Sequence, residues 1–478
     1  MTQTLPRRIS VRNPRTGQND FEITAATGAD IAEQAARLRR GQSAWAQKSL
    51  EERIAVLQRW AERVQSCRNA ITTADSTDTG YGQISRVAVD MTLGHIRRYS
   101  LSAAADLKAA MRQGQSPQNP LVRYDCVLKP IPLVGVISPW NGPMHMAMLH
   151  AIPPLFAGCA VLVKPSEVTP RFVGPLRSSI QEVPELAAVF DFVLGDGATG
   201  AALIEHVDMV SFTGSVSNGR KVAEACGRRL IPCELELGGK DPIIVTSEAD
   251  LDAAASAVLR GGVTSTGQVC FAIERVYVDA KVHDDFVSRL VNKAERVQIN
   301  YPDPLSGHIG PFISHRQAQL VDAHLEEAIA KGAVLRCGGK SFNRGGGLYM
   351  LPTVLTDVTH DMLVMREETF GPVIPVMRYN DIEEAVSLAN DSLYGLSAAV
   401  MAGSEAEALT IARLLNAGNV SVQDAYLTFF AGPAESDKFA SSGVPGKRSG
   451  LQRYLRREAL LINSGKPACL LEQSMQSL

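Results

Sequence analysis

Val134-Gly135-Val136-Ile137-Ser138-Pro139-Trp140-Asn141 is the stretch that decides the fold. Its first four residues are apolar and mostly β-branched, as in a buried strand, and a polar turn containing proline follows. Three later runs of the same design, each ending at polar or glycine residues, are residues 161–163, 190–194 and 209–212. Helical segments separate these runs, and this alternation predicts an α/β fold with a doubly wound parallel sheet.

The strand ends carry the polar residues from which a ligand site is built. Lys164 and Glu167 follow the second run, and residues 214–219, Gly-Ser-Val-Ser-Asn-Gly, follow the fourth and open a helix. The start of a helix can hold a phosphate, although the same residues also suit a plain turn. A cation, a carboxylate able to hold ribose hydroxyls and a phosphate-binding helix start together indicate a dinucleotide at the carboxyl ends of the strands.

Cys270 is the candidate nucleophile, in the segment Gly267-Gln268-Val269-Cys270-Phe271. The glycine- and threonine-rich residues 261–267 precede it, so flexible backbone would present its sulfur between regular elements. A thiolate is a strong nucleophile, whereas an ordinary free cysteine is a small buried hydrophobe, and both interpretations are open at this point. The eight cysteines show no Cys-x-x-Cys pair, so neither a zinc site nor a disulfide framework is indicated.

A second α/β pattern begins after Leu235-Glu236-Leu237-Gly238-Gly239 and extends to Phe430. Glu236 is either a strand-edge residue facing water or a carboxylate held among leucines, and the two glycines indicate a close backbone approach. Beyond residue 431 the chain is rich in serine, glycine and charge. Its basic residues Arg453, Arg456 and Arg457 are typical of a helix.

Composition describes a compact protein of two or three domains. The chain has 478 residues, 45% hydrophobic and 21% charged, with 48 Lys+Arg against 50 Asp+Glu. The balanced charge gives no indication of nucleic acid or an anionic membrane as a partner. Residues 147–163 are apolar but contain prolines, which makes them a poor membrane span, and no secretory signal is evident at the N-terminus. We therefore expect a cytoplasmic enzyme.

Six collinear motifs resemble those of the aldehyde dehydrogenase superfamily, and the likeness covers nearly the whole chain. They are Pro139-Trp140-Asn141, Lys164-Pro165-Ser166-Glu167, Phe212-Thr213-Gly214-Ser215, Leu235-Glu236-Leu237-Gly238-Gly239-Lys240, Gly267-Gln268-Val269-Cys270 and Glu368-Thr369-Phe370-Gly371-Pro372. The resemblance implies a Rossmann-like cofactor domain, an α/β catalytic domain and a small oligomerisation arm. It also implies a homodimer or homotetramer.

The resemblance also implies where the parts of the chain belong. The expected division is an NAD-binding domain at 1–112 and 131–237, a catalytic domain at 238–435, oligomerisation segments at 113–130 and 459–478, and a return segment at 436–458.

Roles for single residues follow from the same motifs. Cys270 would be the nucleophile, the Asn141 amide with the Cys270 backbone N–H the oxyanion hole, and Glu236 the general base. NAD is the expected cofactor, with NADP as the alternative, and the expected partner is a small-molecule aldehyde substrate. The cofactor contacts implied by the resemblance are Trp140, Lys164, Ser166, Glu167, Gly214, Ser215, Gly219, Leu237, Gly238, Glu368 and Phe370.

Three departures from the family pattern concern the substrate side and the C-terminus. Gly142 stands where a bulky aromatic is common, and residues 436–438 replace a Phe-Gly-Gly. His150 stands where a basic residue is common, and its usual acidic partner is missing from residues 446–450. Gly142, with the late apolar residues Leu427, Phe429 and Phe430, favours an aromatic or bulky apolar aldehyde.

Three other functions remain in view. A CoA-acylating enzyme on the same fold would not be expected to keep a base at Glu236. A non-catalytic binding protein would have no need for Cys270, Asn141 and Glu236 together. A cysteine hydrolase would need a histidine partner, and no histidine lies near Cys270 in the sequence.

Overall fold

Parallel strands form the two largest sheets of the structure, a computed structural model that describes residues 7–431 and 450–466. Within those ranges the α-helices are α1 Gly28–Gln47, α2 Leu50–Ser66, α3 Arg68–Thr79, α4 Gly82–Ala110, α5 Pro143–Ala157, α6 Val173–Gln181, α7 Pro184–Ala187, α8 Gly197–Ile204, α9 Val216–Arg228, α10 Leu251–Val263, α11 His283–Ala294, α12 His315–Ala330, α13 Leu363–Arg366, α14 Ile382–Asn390, α15 Glu405–Ala412 and α16 Thr428–Ala431. None of these helices combines the length and apolar character needed to cross a membrane.

The β-strands lie within the same two ranges of residues. They are β1 Arg8–Arg12, β2 Asn19–Thr24, β3 Gln113–Gln115, β4 Val122–Pro130, β5 Leu133–Ile137, β6 Ala160–Lys164, β7 Phe190–Phe192, β8 Met209–Thr213, β9 Cys233–Glu236, β10 Asp241–Val245, β11 Ile273–Asp279, β12 Val334–Cys337, β13 Phe342–Arg344, β14 Gly347–Tyr349, β15 Thr353–Thr356, β16 Val373–Tyr379, β17 Ser397–Met401, β18 Asn419–Val422 and β19 Leu455–Asn463.

The first large sheet has five parallel strands in the order β7-β6-β5-β8-β9. Every residue of β5, β6 and β8 is buried, which explains their uninterrupted apolar sequences. The chain moves outward from β5 through β6 to β7 and then returns to place β8 on the other side. Its topological switch point therefore lies between β5 and β8, and a crevice for ligands forms at their carboxyl ends.

The second large sheet has seven strands in the order β12-β15-β16-β11-β10-β17-β18. All neighbouring pairs are parallel except β12 with β15 at one edge. Sequence patterns locate four of these strands, whereas β12, β15 and β18 are too short to stand out. The α/β fold with parallel sheets is as predicted.

A three-stranded sheet in the order β19-β4-β3 lies apart from the two large ones. Here the sequence interpretation was wrong, because Arg456 and Arg457 lie in β19 and not in a helix. The strand pairs antiparallel with β4 over nine residues, from Leu455 opposite Pro130 to Asn463 opposite Val122. Pairing of this length outweighs the local helical composition.

Candidate active site

The turn before Cys270 has an uncommon backbone conformation. Ser265, Thr266 and Gly267 have φ values of 54°, 57° and 69°, in the left-handed region that residues with a Cβ rarely adopt. A Cβ on Gly267 would lie 2.2 Å from the Gly371 carbonyl oxygen, so this position needs glycine. Such strained backbone persists only where surrounding contacts hold it.

Hydrogen bonds from distant parts of the chain hold this turn. The Tyr81 hydroxyl donates to the Ser265 carbonyl at 2.8 Å, and the Gln268 side-chain amide donates to the Tyr81 hydroxyl at 2.7 Å. The Ile313 N–H donates to the Gln268 amide oxygen at 3.1 Å, and the Thr266 hydroxyl donates to a carbonyl at 2.8 Å. Sequence reasoning missed Tyr81, because it lies 184 positions from its partner Ser265 and has no local signal.

Asn141 meets the cysteine segment from the other side. It lies just past the end of β5, and its side-chain amide donates to the Gln268 carbonyl at 2.9 Å. Helix α5 begins immediately afterwards with Gly142 as its N-cap. The structure therefore brings together the predicted oxyanion-hole side chain and the segment that carries Cys270.

The two glycines after Glu236 allow the close approach expected of them. A Cβ on Gly238 would lie 2.3 Å from a Glu368 carboxyl oxygen, and one on Gly239 would lie 2.5 Å from the Cys270 carbonyl oxygen. The Gly239 N–H donates to the Glu368 carboxyl at 3.3 Å. The segment after β9 is thereby packed between Glu368 and Cys270.

Acidic groups surround the Cys270 thiol. Burial raises the pKa of this thiol, and three nearby carboxyl groups raise it further, in the order Glu368, Asp241 and Glu236. Burial, followed by repulsion from Glu274, raises the pKa of Glu368 to about 8. Burial likewise raises the pKa of Asp241 to about 8. At neutral pH the thiol is protonated in this arrangement, and Glu368 and Asp241 are mostly so.

A buried ion pair positions the segment that carries Glu368 and Phe370. Lys240 donates to Glu274 at 2.6 Å, and both side chains are almost fully buried. The carboxylate of Glu274 in turn accepts from the N–H groups of Thr369, at 2.7 Å, and Phe370, at 2.8 Å. Phe370 itself has a φ of 53°, so these bonds hold a strained residue in place.

The side chains of Trp140 and Phe370 join the loop after β5 to the loop before β16. Their rings meet edge to face with centroids 5.4 Å apart. Trp140 lies at the end of β5, and its carbonyl accepts from the Thr169 hydroxyl at 3.2 Å. Both predicted cofactor contacts therefore lie at the switch-point crevice.

The predicted ribose-binding pair lies at the end of β6. The Lys164 ammonium contacts the Glu167 carboxylate at 3.1 Å, with Lys164 buried and Glu167 about one-third exposed. Ser166 is also buried, and its hydroxyl accepts from the Val168 N–H at 3.2 Å. A neutralised carboxylate at the rim of a parallel sheet is suited to hold sugar hydroxyls.

Helix α9 begins at the neighbouring end of β8. Ser215 is its N-cap and accepts from the Asn218 N–H at 3.4 Å. A Cβ on Gly214 would lie 2.6 Å from the Phe212 ring, and one on Gly219 would lie 2.4 Å from the Leu237 side chain. Glycine at both positions keeps the start of this helix close to the sheet. The residues present therefore fit the dinucleotide predicted from the sequence, because a helix N-terminus can accept a phosphate.

Comparison with known proteins identifies the family. Residues 1–458 match the model of the aldehyde dehydrogenase family. The chain belongs to this family. The predicted enzyme class is thus confirmed, and its members oxidise aldehydes.

Relatives of known name include aldehyde dehydrogenases for different substrates. A Mycolicibacterium smegmatis protein, whose name assigns it to the NADP(+)-dependent succinate-semialdehyde dehydrogenases, is 37% identical over 446 residues, covering 92% of this chain and 85% of that protein. A betaine aldehyde dehydrogenase of Rhizobium leguminosarum is 34% identical over 461 residues, covering 95% of this chain and 93% of that protein.

Solved structures of aldehyde dehydrogenases share the fold along almost the whole chain. A protein of Anabaena variabilis named as the aldehyde dehydrogenase PutA has a TM-score of 0.92 and 47% identity, covering 98% of this chain and 100% of that chain. A Staphylococcus aureus betaine aldehyde dehydrogenase in complex with NAD+ has a TM-score of 0.90 and 29% identity. The match covers 98% of this chain and 94% of that chain. The predicted aldehyde dehydrogenase fold is confirmed, and a nicotinamide dinucleotide agrees with the cofactors these relatives name.

The departures from the aldehyde dehydrogenase pattern are partly visible. His150 is buried, and its Nε2 lies 3.0 Å from the Thr213 hydroxyl. Residues 436–438 and 446–449 lie outside the described residues, as does the side chain of Phe430. Leu427 is exposed, whereas Phe429 stacks on Tyr426 with centroids 5.6 Å apart.

Proposed function

We propose that the chain oxidises an aldehyde to the carboxylic acid with NAD, through a thiohemiacetal and then a thioester on Cys270. The observation that carries this proposal is the hydrogen bond from Asn141 to the Gln268 carbonyl, two residues before Cys270. It sets a neutral donor beside the strained turn that presents the thiol. Asn141 and the Cys270 backbone N–H would stabilise the alkoxide that forms when sulfur attacks the carbonyl carbon.

Attack requires Cys270 to lose its proton from surroundings that favour the thiol. When bound, the oxidised nicotinamide supplies positive charge and accepts the hydride that the adduct gives up. Positive charge lowers the pKa of a nearby thiol, so occupancy of the cofactor site would activate Cys270. The loop from Glu368 to Phe370, held by the Lys240–Glu274 pair, would orient the nicotinamide ribose and ring.

Glu236 would act in the second half of the reaction. It is the last residue of β9, and its charge reaches the Cys270 thiol. As general base it would take a proton from water, which then attacks the thioester carbon. The C–S bond breaks, Cys270 recovers the thiol form and the acid leaves.

The cofactor would bind along the carboxyl ends of β5, β6 and β8. Lys164, Ser166 and Glu167 would hold the adenine ribose, while Trp140 and the segment from Gly214 to Gly219 would lie at the pyrophosphate. Leu237 and Gly238 would line the nicotinamide end. Glu167 should favour NAD, because a carboxylate repels a 2′-phosphate at a cost on the order of 1 kcal/mol or more. A kcat/KM for NADP equal to that for NAD would contradict this assignment.

The chain would divide into the cofactor and catalytic domains expected from the sequence, and the protein would form a homodimer or homotetramer. The β19-β4-β3 sheet supports an arm, because Leu461 and Leu460 on β19 are exposed at 75% and 45%. Exposed large apolar side chains on a sheet are typical of an interface. Light scattering on the full chain tests the oligomer, and a monomer at micromolar concentration would contradict it.

Space next to the carbonyl suits a substrate with a bulky or aromatic group. Gly142 follows Asn141, and a Cβ there would meet only the Met146 side chain, at an ordinary 3.5 Å. Its φ of −141° is outside the left-handed region that favours glycine, while its ψ of 64° lies between the main β and α regions. Phe271, the residue after Cys270, packs against Tyr426 with ring centroids 5.1 Å apart. These two rings would form an aromatic wall of the substrate space.

The deciding experiment is oxidation of an aldehyde panel with NAD, followed by the absorbance of the reduced cofactor. The panel should include benzaldehydes together with succinic semialdehyde and betaine aldehyde, which relatives' names suggest. We expect the acid as product without CoA. A rate that requires CoA and yields an acyl-CoA would replace this proposal with the acylating function.

A further inference from the structure

One face of helix α5, next to Asn141, is partly exposed, and the space that it faces is called the recess below. The rest of this helix is buried, yet His145, Met146 and Leu149 keep partial exposure. Counted from Gly142, His145 and Met146 lie one helical turn later and Leu149 lies two turns later, on the same side of the helix. A helix buried on every other side has to face an opening here, and that opening adjoins the predicted oxyanion hole.

Two imidazoles stack in the wall of this recess. The rings of His145 on α5 and His95 on α4 lie 5.6 Å apart between centroids, with 17° between their planes. The Nδ1 atom of His145 is buried and, within the described residues, has no hydrogen-bond partner. Its Nε2 likewise makes no hydrogen bond with the described part of the chain, but this atom is not fully buried. It is therefore the nitrogen open to the recess.

Both rings are uncharged at neutral pH. Burial, followed by His95, lowers the pKa of His145 to about 3. Burial, followed by Arg98 on the same helix, lowers the pKa of His95 to about 4. The carboxyl of Asp75 on the adjoining α3 accepts from the Ser85 hydroxyl at 2.6 Å, and burial raises its pKa to about 6. Arg98 is the charged group that acts on the imidazole pair, and Asp75 is mostly ionised at pH 7 and is bound to Ser85. An uncharged imidazole can donate its ring N–H, so the pair suits an oxygen acceptor as ligand.

Resting on the proposed aldehyde oxidation, we propose that His145, positioned by His95, binds an oxygen substituent of the substrate. The Nε2 of His145 would donate to a carboxylate or hydroxyl on the end of the aldehyde away from the carbonyl. Asn141 lies just before helix α5 and His145 lies in its first turn, so a short substrate could contact both side chains. A four-carbon semialdehyde acid and a benzaldehyde substituted at the para position are candidates of that size.

The alternative is a structural histidine whose polar atoms are bound by ordered water. Stability separates the two roles. A buried nitrogen without a protein partner lowers stability, so replacing a ligand-binding histidine with leucine should keep or raise the Tm. If the histidine is needed for packing, the Tm of the same variant should instead fall.

Matched substrate pairs test the proposal. Succinic semialdehyde is compared with pentanal, and 4-carboxybenzaldehyde and 4-hydroxybenzaldehyde with 4-methylbenzaldehyde. For wild type we expect kcat/KM at least about tenfold higher for the oxygen-bearing member, mainly through KM. Preference for the carboxylates alone would identify an anion as ligand, and preference for the hydroxyl compound as well would identify a general hydrogen-bond acceptor.

Variants then assign the preference to one nitrogen. His145→Leu should reduce each ratio to within about threefold of one, whereas His145→Gln, whose amide nitrogen lies near the Nε2 position, should keep part of it. The same change at exposed His315 is the control and should alter no ratio. Ratios near one in wild type, or an equal loss for both members of a pair in His145→Leu, would overturn the proposal while aldehyde oxidation stands. Absence of NAD reduction with every aldehyde, pentanal included, would overturn both.

Discussion

Burial shifts the pKa values near Cys270 and those in the recess at His145 in opposite directions. Around Cys270 the buried groups are acids, and burial raises the pKa of Glu368 and Asp241 to about 8. At the recess they are imidazoles, and burial lowers the pKa of His95 to about 4 and that of His145 to about 3. One physical cause, the cost of placing charge in an apolar medium, produces both shifts.

Between about pH 4 and pH 8, Glu368 and Asp241 near Cys270 and the two imidazoles at the recess are therefore mostly uncharged. Outside that window they would acquire opposite charges, negative near Cys270 at high pH and positive near His145 at low pH. Near pH 7 an aldehyde with an oxygen substituent would be oriented by hydrogen bonds, with its carbonyl toward Asn141 and its oxygen substituent toward the neutral imidazole of His145.

Cys270→Ala removes the thiol that Glu368, Asp241 and Glu236 surround. We expect turnover to fall by about 10⁴-fold or more, because no other group forms the thiohemiacetal. Cofactor binding should persist, since the predicted contacts lie on β5, β6 and α9, and quenching of tryptophan fluorescence by NAD measures it. Substantial turnover by folded Cys270→Ala protein would show that another group performs the attack.

Glu236→Gln keeps the size of this side chain near Cys270 but removes the carboxylate that is proposed as the general base. Hydrolysis should slow by roughly 10²–10⁴-fold while acylation continues, because only the water needs this carboxylate. Intact-mass spectrometry after mixing with aldehyde and NAD should then find an acyl group on Cys270. Glu167→Gln, at the cofactor end, is the matched control and should show no such adduct. Unimpaired steady-state hydrolysis would identify a different base.

Gly142→Phe fills the space between the two regions. We expect kcat/KM for para-substituted benzaldehydes to fall by roughly 10–200-fold, and that for acetaldehyde to fall much less, because a ring there excludes bulk next to the carbonyl. Kinetics on both substrates give the ratio. An equal loss for both would mean that glycine serves the backbone, and the case for a bulky substrate would then disappear.

The two regions also differ in how far sequence could predict them. The residues near Cys270 lie in short motifs at strand ends, where the chemistry demands particular residue types, so Asn141, Glu236 and Glu368 could be named in advance. The residues that hold these side chains in position could not be named in advance. Tyr81 and Lys240 act through hydrogen bonds that close only when distant segments meet. His145 carried no signal either, because a histidine among methionines on an apolar helix resembles core packing, and only its stacked partner and open Nε2 distinguish it.

Asp241→Asn should have the smallest effect, on the pH dependence of stability. The pKa of Asp241 is raised from its ordinary value to about 8, so the folded protein holds this proton more tightly than the unfolded chain does. Its contribution to stability is therefore present below pH 4 and is lost as the pH rises toward 8. Asparagine carries no charge and can still accept from Ser397, whose hydroxyl donates to Asp241 at 2.5 Å.

We accordingly expect the variant to have the higher Tm at pH 9, by an amount on the order of 3 °C, and a smaller difference at pH 5. Glu368 keeps part of the trend, because its pKa is raised in the same way. Thermal melts at both pH values measure the effect, with Asp303→Asn on the surface as control. Removing one negative group should also lower the pKa of Cys270, so iodoacetamide should alkylate it faster at pH 8. A variant with the wild-type pH trend and alkylation rate would show that Asp241 carries no charge near the thiol, and the acidic surroundings of Cys270 would then rest on Glu236 and Glu368.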